Sequence, residues 1–120
     1  MSYRILYACI SHPGKVRQIN QDNFICNGQY MPIENGEITF PLHGSCISTD
    51  NPVFGIFDGM GGEHFGELAS YAVARQMQQT QRSIADFFVS EKKYLQRLTN
   101  QLHEAVLAEQ KNMQTEHMGT

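Results

Sequence analysis

Apolar positions in the first half of the chain recur with the two-residue period of strands, and those in the second half with the 3.6-residue period of helices. Tyr3 to Ile10 alternates bulky and β-branched residues, which predicts a strand with one buried face, broken by His12-Pro13-Gly14. After the polar segment Lys15 to Asn23, Phe24-Ile25-Cys26 predicts a second short strand running into Asn27-Gly28, so Asp22 sits near a strand start. Gln29 to Asn51 is mixed, with turn signals at Asn35-Gly36, Pro41, Gly44 and Asn51-Pro52 and apolar pieces at Ile38 to Phe40 and Cys46-Ile47. It predicts a hairpin with Asn35-Gly36 at its tip. Val53 to Phe57 is an unbroken apolar run, the pattern of a strand covered on both faces.

Two amphipathic helices follow. In the first, Leu68, Ala69, Ala72, Val73, Gln76 and Met77 fall at helical spacing, with Glu63 and Glu67 near the N-terminal end, where acids oppose the helix dipole. The second runs from about Glu91 to Asn112 and carries the stripe Leu95, Leu98, Leu102, Ala105 and Val106. Strands first and helices after them predict an α+β fold, with antiparallel β-sheets packed against helices on one face. The 120 residues suffice for one domain with a modest core.

Charge and cysteine content narrow the function classes. With 9 basic and 12 acidic residues, a formal charge of -3 and no basic run, the chain carries no electrostatic footprint for nucleic acid. No segment approaches the roughly 18 consecutive apolar residues of a membrane span, and Met1 to Ile10 lacks a secretory cleavage pattern, so the expected compartment is the cytoplasm. Cys9, Cys26 and Cys46 form no C-x-x-C pair and sit in or beside apolar runs, which predicts reduced, half-buried thiols. The five histidines show no His-x-x-x-His pairing, and neither set suggests a zinc site. His64 alone falls beside a candidate site.

That candidate is the stretch Val53 to Ser70, VFGIFDGMGGEHFGELAS. An apolar strand delivers the carboxylate of Asp58 into a turn containing Gly59, Gly61 and Gly62. Glycines let a ligand approach the main chain closely, and a carboxylate at the strand end beside them suits a hard cation. An Asp-Gly pair is also ordinary turn chemistry.

Three motifs in order and at characteristic separations give the chain a resemblance. Arg17-x-x-Asn20-Gln21-Asp22, then Asp58-Gly59-Met60-Gly61-Gly62, then Gly66-Glu67-x-Ala69-Ser70 look like the opening motifs of the metal-dependent type 2C protein serine/threonine phosphatases, in their bacterial style. Met118-Gly119-Thr120 looks like the start of that family's M-G-T-T strand. The resemblance implies an α-β-β-α sandwich of two antiparallel sheets with helices outside, and a two-metal centre at one end. It implies manganese or magnesium as cofactor, a phosphoprotein substrate, and a bridging water that attacks phosphorus directly. Asp58 would then touch both metals, the Gly59 carbonyl one of them, and Asp22 the metal-bound waters. The Arg17 guanidinium would pair with the substrate phosphate. Singly, Arg17 reads as a surface ion-pair partner and Asp22 as a strand-start residue.

Departures from the pattern bear on mechanism. Gln21 offers an amide oxygen where many members have a metal-approaching Glu, and Met60 stands where many have a proton-donating His. The resemblance covers about the N-terminal half of the family's domain, and no Asp-Gly or Asp-Asn pair follows Gly62 to match the later metal-binding aspartates. The remaining acid of that type, Asp86, reads as a helix cap. Two readings follow: a phosphoserine and phosphothreonine phosphatase, or a non-catalytic truncated or split module acting through binding or self-association. In the second, a twofold dimer or another partner covers apolar strand faces around Val53, Ile56 and Phe57.

Overall fold

The computed structural model describes residues 1–34, 41–60, 65–80, 88–114 and 117–120, and within these the chain is α+β. Four strands precede two helices: β1 (Arg4–Cys9), β2 (Asn23–Cys26), β3 (Leu42–Ile47), β4 (Phe54–Phe57), α1 (Gly66–Gln79) and α2 (Glu91–Met113). The strands form two antiparallel pairs, β1 with β3 and β2 with β4. The predicted hairpin tip at Asn35-Gly36, the piece Ile38 to Phe40, and Gly61, Gly62, Glu63, His64 and Asp86 lie outside the described residues. The described N-cap of α2 is Ser90, whose hydroxyl accepts from the Lys93 amide at 3.4 Å.

Side-chain alternation sorts these pieces into layers. On β4, Phe57 packs against the cluster of Ala69, Val73, Val106 and Met118, so that face of the β2–β4 pair meets the helices. The alternate face carries Phe54, whose ring lies 5.4 Å from that of Tyr7 on β1. Cys26, opposite Phe54 in the β2–β4 register, meets Cys9 of β1 through a thiol–thiol hydrogen bond. Helices therefore cover one face of β2–β4, and β1–β3 lies against the other. The thiols are free, and burial pushes those of Cys9 and Cys26 above their ordinary value, as expected for unreactive cysteines.

All four residues of β2 are buried, which makes it the best-covered strand. It turns at Asn27-Gly28, both at positive φ, and closes with the two reciprocal backbone bonds between Cys26 and Gln29 that a two-residue hairpin turn requires. α1 reaches it closely because its buried arc is made of small residues, Gly66, Ala69, Ser70, Ala72, Val73 and Ala74. α2 lies against α1 by Leu98 and Val106, while Leu95, expected in the same stripe, stays 56% exposed.

β4 differs from the double coverage that its apolar run predicts. Phe54 is 46% exposed and Ile56 83%, because β1–β3 meets Phe54 through the Tyr7 ring and does not extend over Ile56. Beyond β4, Met60 and Gly119 exchange two backbone hydrogen bonds of 2.7 and 2.6 Å, an isolated antiparallel bridge that ties Met118-Gly119-Thr120 to the loop after that strand. Among the described residues, no helix is long and apolar enough to cross a membrane.

Candidate functional site

Asp22 and Asp58 come together because β2 and β4 are neighbours in antiparallel register. Asn23 pairs with Phe57, so the residue before β2 and the residue after β4 emerge at the same end of the sheet. The two carboxyl groups are close enough to share a hydrogen bond. Burial pushes Asp22 above the ordinary carboxylate value, and the charge of Asp58 and the hydrogen bond to it add to the rise. The Arg17 guanidinium and the Gly59 amide, which donates to the Asp22 carboxylate, oppose it. Arg17, Asp22, Asp58 and Gly59, the four residues singled out in the sequence, thus converge at one end of the β2–β4 pair. Gly59 contributes its N–H to this cluster.

Polar residues without titratable groups hold the loop that carries Asp22. Buried Asn20 donates from Nδ2 to Ser11 Oγ at 2.6 Å and accepts from the Asp22 amide at 3.1 Å. Asn23, also buried, accepts from the amides of Phe24 and Met31 and donates to the Met31 carbonyl at 2.8, 3.0 and 3.1 Å. On the far side, Ser70 of α1 donates to the Gln21 carbonyl at 2.6 Å. Gly59 is buried where a Cβ would collide with the carbonyl oxygens of both Gln21 and Gly66, so only glycine lets these three segments meet.

Asp58 also lines a groove of about 670 Å³ between β4, α2 and Met118, walled by Ile56, Phe57, Met60, Leu102 and Val106. The site therefore has a solvent-exposed acidic end and an apolar flank. Glu67, in the first turn of α1, has a buried carboxylate oxygen without a hydrogen-bond partner among the described residues.

The donor set fits a hard divalent cation in part. Two carboxylates held in contact repel once both ionise, and a cation relieves that repulsion while taking oxygen ligands. No group of three or more His, Cys, Asp or Glu suited to a metal occurs among the described residues, so waters would complete the shell. Asn20, Asn23 and Ser70 were the residues whose roles the sequence did not disclose. Two of them stand inside quoted motifs, but neither carries a charge that would mark it for chemistry. No protein-family model, curated protein or solved structure matches the chain.

Proposed function

We propose that this chain carries part of the cation site of a metal-dependent phosphatase of the type 2C kind, acting on phosphoserine and phosphothreonine. The observation that supports the reading is the convergence of Asp22, Asp58, Arg17 and the Gly59 backbone from two separate segments, the loop before β2 and the loop after β4. Manganese or magnesium bound there would supply an activated water and neutralise phosphoryl charge. Asp58 and Asp22 are the groups that would hold the ion and its waters, and Arg17, whose charge acts on Asp22, would offer its donors to a phosphate oxygen.

Two carboxylates are few for a two-metal centre, so the reading gives the isolated chain weak cation binding and turnover near background. A second copy or another partner would cover exposed apolar positions such as Ile56 and Leu6, which are 83% and 77% exposed. The test is hydrolysis of a phosphothreonine peptide and of a generic phosphate ester by the purified chain with added manganese. Near-background turnover that Asp58→Asn and Arg17→Ala reduce further supports the reading. Turnover that both variants leave unchanged contradicts it, and rapid wild-type turnover shows the chain to be a complete catalyst.

A further inference from the structure

Ser70 is fully buried, at 0% exposure, in the first half of α1. A serine inside a helix ordinarily directs its hydroxyl to the carbonyl three or four residues earlier. Here that bond, to the Glu67 carbonyl, is the longer contact at 3.2 Å, and the short one of 2.6 Å reaches the Gln21 carbonyl, 49 residues away in sequence. A hydroxyl has one proton, so the short bond to Gln21 takes it.

The Gln21 carbonyl is consequently fixed from two sides. Ser70 holds it by a hydrogen bond, and Gly59 presses against it where no side chain fits. Gly66 closes the same junction, since a Cβ there would meet the Gln21 side-chain amide at 2.8 Å. Gln21 directly precedes Asp22, and Gly59 directly follows Asp58. The peptide that Ser70 anchors therefore leads directly into Asp22 and packs against the residue that follows Asp58.

We propose that Ser70 is the positioning residue of this site, setting the separation of Asp22 and Asp58 by holding the Gln21 carbonyl against Gly59. A divalent cation tolerates only a few tenths of an ångström in its oxygen distances, so a loosened Gln21 peptide blurs the site without removing a ligand. The inference rests on the reading of Asp22 and Asp58 as cation ligands. One of its two tests needs no cation, so failure of that reading and failure of this inference are told apart.

The experiment compares the wild-type chain with Ser70→Ala by amide hydrogen exchange without metal, then by manganese titration. The Gly59 amide, which donates to Asp22, and the Asp22 amide, which donates to Asn20, exchange at least about tenfold faster in the variant. Amides of α1 beyond Ser70, such as those of Val73 and Ala74, keep their wild-type rates. Manganese affinity falls by about tenfold or more. Ser70→Cys, close in size and a weak donor, gives an intermediate result and serves if the alanine variant does not fold. A uniform acceleration of all amides, or unchanged Asp22 and Gly59 amides, overturns the proposal. Local acceleration with wild-type manganese affinity overturns its link to the cation.

Discussion

Replacing Gly59 by alanine tests the junction on which the site depends. A Cβ at residue 59 falls between the carbonyl oxygens of Gln21 and Gly66, both backbone atoms, and closer to each than real side chains approach. Carbon and oxygen need about 3.3 Å, so the loop after β4 must move by about 1 Å from the segment before β2 and from the start of α1. Neither neighbour is the free end of a flexible side chain. Overpacking against rigid backbone costs about 3 kcal/mol, a large share of the roughly 5–15 kcal/mol that a domain of this size holds. With a urea slope of about 2 kcal/mol/M, the unfolding midpoint drops by about 1.5 M with unchanged slope. Gly119→Ala is the control, because its Cβ would meet only the terminal methyl of Met60 at an ordinary 3.7 Å, and it moves the midpoint little. Equal midpoints for the two variants would refute the close three-segment junction.

The pH dependence of stability carries the signature of the acidic pair. Asp22 titrates above its ordinary value in the folded chain, through burial first and the neighbouring Asp58 second. Its contribution to stability is therefore fully present below the unfolded carboxylate value and is lost as pH rises through the raised folded value. Asp22→Asn removes that loss, so in chelator the variant gains stability relative to wild type as pH rises from about 3 to 7. Parallel urea curves across this range would contradict the pairing. Asn23→Ala strips three hydrogen bonds from a buried position and leaves the Met31 and Phe24 backbone groups without them. It costs about 2–4 kcal/mol by denaturation, and a loss below about 1 kcal/mol would show that water replaces the amide. Sedimentation at micromolar concentration should find a dimer burying about 2,000 Å² in total, dispersed by Ile56→Asp, whereas a well-folded monomer excludes self-association.

The alternating run through β1, the apolar run of β4 and the stripe of α2 announce their elements, since burial of one face imposes a period on the sequence. Asp58 and Gly59 stand out at the end of an apolar strand, although an Asp-Gly pair taken alone is equally ordinary turn chemistry. What covers each face is less legible. Val53 to Phe57 is apolar throughout, yet Phe57 meets the helices while Ile56 faces solvent, and composition alone does not tell these environments apart. The positioning contacts are hidden more deeply. Ser70 and Gln21 stand 49 residues apart, and Asn20 meets Ser11 across nine. Each is a small polar group whose value lies in one partner, and no local pattern specifies that partner. Asn23 ends the polar segment Lys15 to Asn23, yet it is buried because it closes the loop around Met31.

Calorimetric titration of manganese into the wild-type chain and into Asp58→Asn tests the cation site most directly. The account predicts weak binding to the wild-type chain, with the Asp22 and Asp58 carboxylates as its ligands, and none to the variant, whose thermal stability in chelator is no lower than that of wild type because the like-charge contact with Asp22 is gone. Tight two-site binding to the wild-type chain, or binding that survives Asp58→Asn unchanged, would contradict it.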